Sequence, residues 1–429
     1  MDLMIFFPFI IFFSVFLYNY RYRGLDIFTY LILLYTSCSF FSIFLDSLNL
    51  YRDFDIFKSS LGIIAPLSYC GLLLICMKPF KSFNSNSIIK IESVNIKRYK
   101  TVIYIYFALF VLMLLVSSTK INEILQAQTM AALRDDFYHG NAESVWSSYS
   151  GWFRYFVAIM SLLSATSYLL ILFFFYNIVV LKTSLRFNII TLIGSLTPLI
   201  QSVFIADRSG FIYWLLIFMV SFVLFRKMMT KKDKKIFGNF GLIIITVLLL
   251  YFITVTVSRF GEDTGGTIRD VYYSLVYYTG SNYIQFCNFF NHLPLESPTS
   301  LTPIFPLTYW ILGLPGYFEQ CEVVEKVYHH GVSNFSTFLG LILSMGGRIV
   351  MCLFVVVYYN IAMKVVKRND PQILSVKKLI YFFIVVLVVN NGLFGYFYMS
   401  YSSTCNIIIW IFLASYLTDK NNSRRYKTI

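Results

Sequence analysis

Residues 186–227 read RFNIITLIGSLTPLIQSVFIADRSGFIYWLLIFMVSFVLFRK. Two apolar runs, 187–206 and 210–225, flank the short polar turn Asp207-Arg208-Ser209, and basic residues close the unit at both ends. A helix needs about 20 apolar residues to cross the hydrocarbon core of a bilayer. The first run meets that length and the second approaches it. So short a turn between two such runs brings the chain back across the same membrane. Arg186 and Arg226-Lys227 then lie on one side, and Asp207-Arg208 on the other.

The same pattern extends along the 429 residues. The chain is 58% hydrophobic and only 13% charged, with a mean hydropathy of +0.69. This composition belongs to polytopic helical membrane proteins rather than soluble domains. Eleven spans are expected, near residues 3–19, 27–46, 59–77, 101–118, 155–180, 187–206, 210–225, 238–257, 349–366, 379–397 and 402–418. The first has no basic segment before it and no small-residue cleavage site after it, so it reads as a span, not a removable leader. The fold class is therefore all-α, one integral membrane domain over 1–429, with large loops at about 119–153 and 259–348.

Charge sets the orientation. Connections after the odd-numbered spans hold 25 Lys/Arg against five acids, whereas the other side holds ten against sixteen. Basic loops stay in the cytoplasm, which places the C-terminus inside and the N-terminus outside. The net charge of +14 is thus a topology signal and not a nucleic-acid surface. Lysine dominates the inner side, 17 to 8, but seven of the ten outer cations are arginine: Arg52, Arg134, Arg154, Arg208, Arg259, Arg269 and Arg348. All four histidines, His139, His292, His329 and His330, are outer as well. Arginine's planar fork suits bidentate binding of phosphate or carboxylate. The outer face therefore points to an anionic ligand, with packing and ion pairing as the plainer role for any single arginine.

The first outer loop opens with INEILQAQTMAALRDDFYHG. Its apolar positions Ile121, Ile124, Leu125, Met130 and Leu133 fit a helix lying on the membrane surface. The second holds VYYSLVYY at 271–278, a further candidate surface helix, in which tyrosines such as Tyr278 either anchor at the headgroups or stack on sugar rings. Before the ninth span, residues 335–344 read as a surface or re-entrant piece, Gly346-Gly347 as a break and Arg348 as the outer boundary.

The outer face also supplies chemistry. Asp207-Arg208 is either a neutralised turn or an anchor reaching toward a headgroup. Arg269 begins an arginine, ten residues, glycine spacing that ends at Gly280. His329-His330 offers a general base with a pKa near neutrality, or two solvated loop histidines. No third and fourth ligand stand at metal spacing, and Asp53-Phe54-Asp55 is a weak pattern for a divalent ion. The seven cysteines are scattered, and Cys287 and Cys321 are either a pair in an oxidising compartment or small buried hydrophobes. No P-loop, GxSxG or HExxH is present. No two-fold repeat and no mid-span acid argue for a secondary transporter.

The order of these features resembles the Wzy-type oligosaccharide repeat-unit polymerases of O-antigen and capsule synthesis. The resemblance spans the chain: about eleven apolar segments, a medium outer loop bearing LRDDFYHG, the turn DRSG, and a large outer loop ending in VSNFSTF before a Gly-Gly break. It implies a multi-spanning, lipid-sugar-dependent glycosyltransferase of GT-C-like architecture in the bacterial inner membrane, with its active site facing outward. Its partners would be undecaprenyl-diphosphate-linked oligosaccharide donor and acceptor, membrane lipid and a chain-length regulator, with no cofactor and no metal. By position, Arg208 matches the family's turn arginine and Arg134 that of the medium loop. Arg259 and Arg269 fall in the large loop, and His330 lies near the histidine of the related ligases. The roles implied are catalytic for His330 and Arg208, and substrate-binding for Arg134, Arg259, Arg269 and Tyr278. An O-antigen ligase and a flippase of lipid-linked sugars are the competing readings.

Overall fold

A computed structural model of the chain describes residues 2–50, 60–83, 90–91, 94–118, 162–204, 209–235, 268–292, 300–315, 320–321, 336–367 and 373–418, together with single positions between 151 and 161 and between 237 and 253. The described residues are overwhelmingly helical. In chain order the helices are α1 (Phe7–Arg23), α2 (Ile27–Ser47), α3 (Ile64–Lys81), α4 (Ile96–Ser118), α5 (Leu169–Tyr176), α6 (Leu185–Gly194), α7 (Thr197–Phe204), α8 (Ser209–Phe225), α9 (Ile268–His292), α10 (Pro306–Ile311), α11 (Phe338–Lys367), α12 (Val376–Asn390) and α13 (Tyr401–Leu417). The extended segments among them are the two-residue strands Lys90–Ile91 and Ile373–Leu374.

Among the described residues, six helical stretches are long and apolar enough to cross a membrane: Leu3–Arg23, Ile27–Ser47, Ile64–Lys81, Ile96–Val116, Leu162–Leu181 and Phe338–Val366. They correspond to expected spans one to five and nine. Spans seven and eleven appear as the shorter apolar helices α8 and α13. Span six is divided: α6 ends at Gly194, a turn follows, and α7 begins at Thr197-Pro198. Span ten stops early, because α12 ends at Asn390 and residues 391–400 leave the helix. Of span eight only single helical positions are described, and the loop over 119–150 lies outside the described residues.

Local chemistry explains the ends. Asp26 caps α2 by accepting from the Thr29 backbone N–H and hydroxyl, both at 2.9 Å. The same carboxylate pairs with Arg23 at 2.7 Å, and Arg23 also donates to the Lys81 carbonyl at 2.7 Å. The ends of α1, α2 and α3 are thereby tied together. Gly24, with φ +66°, terminates α1. In α11 the break expected at Gly346-Gly347 falls at Gly347, whose φ of +76° favours glycine.

The chain divides into two compact units. The first comprises Met1–Ile89, Tyr272–Ile373 and Tyr381–Ile407, and the second Lys90–Val271, Leu374–Ile380 and Ile408–Ile429. The large loop expected over 259–348 holds a 25-residue helix, α9, packed into the first unit. Gly280 makes that packing possible. A Cβ there would lie 2.6 Å from the Phe41 carbonyl oxygen of α2, and Ser42 of α2 donates to the Gly280 carbonyl at 2.6 Å. Tyr283 and Phe286 of α9 pack on Tyr69 of α3, with ring centroids 5.1 and 5.2 Å away.

Candidate functional site

The interior of the first unit holds many uncharged polar side chains, along with the buried carboxylates Asp26 and Asp46 on the α2 side. On α9, Ser274, Ser281, Asn282, Gln285 and Asn288 are all buried. Beside them stand Ser336 and Thr337, which precede α11, and Asn390-Asn391 at the end of α12, with Asn390, Asn391 and Thr337 fully enclosed. An apolar helix acquires so many buried amides and hydroxyls only at a cost, since each needs a hydrogen-bond partner.

Backbone contacts fix where these groups lie. The Tyr35 hydroxyl of α2 donates to the Val389 carbonyl at 3.0 Å, capping the open end of α12. Ser42, seven residues further along α2, reaches Gly280 on α9. Seven residues of helix rise about 10.5 Å, so α2 spans from the Asn390 level to the Ser281-Asn282 level. The Phe338 N–H donates to the Gly392 carbonyl at 2.8 Å, which brings Ser336 beside the 390–392 turn. A Cβ on Gly340 would lie 3.8 Å from the Phe286 Cα. Further on, Arg348 donates to the Phe290 carbonyl. The two helices therefore run in the same sense here, and Ser336 falls toward Asn282.

Several of these polar atoms have no hydrogen-bond partner among the described residues. They are Asn282 Oδ1, Ser336 Oγ, Asn390 Oδ1 and Asn391 Nδ2, together with Ser274 Oγ on α9 and both amide atoms of Asn406 on α13. An unsatisfied buried group costs about 1–3 kcal/mol. In the second unit the buried amide Asn177 is paired on both sides. There Tyr99 donates to Asn177 Oδ1 at 2.7 Å, and Asn177 Nδ2 donates to Thr191 at 3.0 Å. Tyr106 meets Thr166 at 2.7 Å, and Ser164 meets Gln201 at 2.7 Å. Those contacts are structural, whereas the first unit leaves the Asn390-Asn391 amides open where the helix ends at 391–400. Most of the 391–400 segment is buried. Non-helical backbone inside a membrane protein is tolerated where protein surrounds it or where it lines a cavity.

Of the residues expected to act, Arg134, Arg208, Arg259 and His330 lie outside the described residues, as do Asp53, Asp55 and His329. Arg269 is exposed in the first turn of α9, and Tyr278 is half-buried on the same helix. Nine residues of helix separate them by about 13.5 Å and half a revolution. They cannot meet on one phosphate, although an extended ligand could touch both. Arg348 takes the packing role: it donates to Phe290 O near the carboxyl end of α9, and its guanidinium lies 4.7 Å above the Phe290 ring. Cys287 and Cys321 are separate buried thiols. Among the described residues, no three His, Cys, Asp or Glu side chains gather as metal ligands.

The buried amides carried no weight in the sequence reading. The available signal was periodic: Ser274, Ser281, Gln285 and Asn288 recur at helical spacing on one face of α9. Compared with family models, curated proteins and solved structures, the chain finds no match in any of the three.

Proposed function

We propose that this chain polymerises polyprenyl-diphosphate-linked oligosaccharide repeat units on the outer face of a bacterial inner membrane. The observation that carries this reading is the set of buried amides and hydroxyls in the first unit, several of them unpaired, built among apolar helices. Amides and hydroxyls buried among aromatic rings are the chemistry that recognises sugar. The arginine-biased outer sequence supplies the complementary chemistry for a diphosphate.

In the reaction, the bond between the anomeric carbon of the growing glycan and the diphosphate oxygen breaks. A new bond forms between that carbon and a hydroxyl oxygen of the next lipid-linked unit. The hydroxyl proton passes to a base, for which His330 is the candidate. The polyprenyl diphosphate departs with the bonding electrons, and Arg208 stabilises its growing charge, with Arg134 and Arg259 holding the donor. Arg269 and Tyr278 are the further candidates for binding the donor's phosphate and a sugar ring, each taken separately. The test is purified full-length protein supplied with one lipid-linked repeat unit in the presence of a chelator. A ladder of products is expected, and single units alone would refute the reading.

The interrupted helices favour a second reading, a flippase of lipid-linked sugars, because membrane transporters build substrate sites from broken helices. The two separate in a deletion strain. Loss of a polymerase leaves single repeats on the cell surface, whereas loss of a flippase traps them inside.

A further inference from the structure

We infer that Asn390 and Asn391, with Ser336 beside them, form a subsite for the hydroxyls of a neutral sugar. The inference rests on the lipid-linked glycan reading and assigns the part of the ligand that the first unit's interior would hold.

The two asparagines are both fully buried. Asn390 Nδ2 donates to Asn391 Oδ1 at 2.7 Å, which fixes the two amides against each other. That bond leaves Asn390 Oδ1 as an open acceptor and Asn391 Nδ2 as an open donor. Exchanging the oxygen and nitrogen of both amides changes nothing, because one acceptor and one donor still remain. Adjacent hydroxyls on a sugar ring match this pair: one donates to the carbonyl oxygen while its neighbour accepts from the amide N–H. A phosphate or carboxylate would face the open oxygen with no donor to give it. A polyprenyl chain would leave both groups unpaired. Neutral hydroxyls are the chemistry that satisfies them.

The surroundings agree. Ser336 Oγ and Asn282 Oδ1 add two more open, uncharged groups. The α2 contacts place the asparagine pair and the Asn282 level about 10.5 Å apart along that helix, the reach of an oligosaccharide rather than of one hydroxyl. The backbone at 391–400 has left the helix, and Tyr396, Phe397 and Tyr398 of that segment are buried aromatic groups. Gly392 keeps the turn tight, since a Cβ there would lie 2.6 Å from Phe338 Cδ1.

The test uses the full-length protein in detergent micelles, with thermal unfolding as the readout. The probes are glucose, galactose, mannose and N-acetylglucosamine, against inorganic pyrophosphate. At least one neutral sugar should give a saturable rise in Tm of about 1–3 °C. The double variant Asn390→Leu/Asn391→Leu should fold with a Tm equal to or above that of the native protein, because paired apolar side chains replace open amides. It should lose the sugar response while keeping any response to pyrophosphate. Asn391→Asp preserves size but exchanges the donor for an acceptor, and should weaken sugar binding at least tenfold even if the double variant does not fold. A sugar response of native strength in either variant, or no response of the native protein to any of the four sugars, overturns the subsite. A sugar response without ladder formation would instead sink the polymerase reading and leave the subsite standing.

Discussion

Gly280→Ala tests the packing that brings α9 into the first unit. The added Cβ would stand 2.6 Å from Phe41 O, 2.7 Å from Phe41 C and 2.9 Å from Ser42 N, all backbone atoms of α2 that cannot rotate away. Ordinary contact lies near 3.5 Å or beyond, so the helices must part by roughly 0.5–1 Å, which forfeits a quarter to a half of each dispersion contact. The 2.6 Å hydrogen bond from Ser42 to the Gly280 carbonyl stretches with them. Overpacking of this kind costs about 1–3 kcal/mol, and the weakened bond adds about 0.5–1.5 kcal/mol. Better helix propensity returns about 0.5–1 kcal/mol, leaving a net loss of about 1–3 kcal/mol. Gly71→Ala is the control: it lies within α3 with nothing inside 4 Å of the new Cβ, and should be neutral or slightly stabilising. Equilibrium unfolding of both variants by SDS titration in mixed micelles measures the difference. Adding Ser42→Ala should cost less in the Gly280→Ala background than alone, since the two share one contact. If Gly280→Ala unfolds together with Gly71→Ala, the close approach of α2 and α9 is wrong, and the placement of the buried amides fails with it.

Other predictions address the second unit, the capping and the chemistry. Tyr99→Phe removes the donor to Asn177 Oδ1 and should cost about 1–3 kcal/mol in the same titration, because the amide oxygen stays buried without it. Asp26→Ala removes the α2 cap and should cost about 1–2 kcal/mol, whereas Asp26→Asn keeps the cap and should lose under about 1 kcal/mol. Arg208→Ala and Arg259→Ala should each abolish glycan chain extension in a deletion strain while the protein still accumulates in the membrane. Normal chain length in both, seen by gel, would remove them from the proposed site.

How much of this was visible in the chain differs from element to element. Hydropathy recovers helices such as α4 and α8, whose sequences are apolar enough to meet lipid, and the Gly346-Gly347 pair announces a break because a left-handed φ favours glycine. For α9 the sequence offers only a candidate surface helix at 271–278, since Ser274, Ser281, Asn282, Gln285 and Asn288 lower the hydropathy of a helix that runs to His292 and turns its polar face toward protein. Hydropathy measures fitness for lipid, and α9 is partly enclosed by α2 and α3. Nor does an arginine's identity disclose its partner: the outer arginines as a set point to an anion, with packing the plainer role for any one of them, and Arg348 meets a backbone carbonyl and an aromatic ring. The asparagines show the limit most clearly. Asn177 and Asn390 each follow a run of apolar residues, and both are completely buried. One is answered by Tyr99 and Thr191, 78 residues before it and 14 after it, while the other retains an open oxygen. Whether a buried amide is a structural rivet or a ligand contact depends on what the fold brings to it. A sequence reveals the amide, but the pairing that distinguishes these roles exists only once the helices are packed.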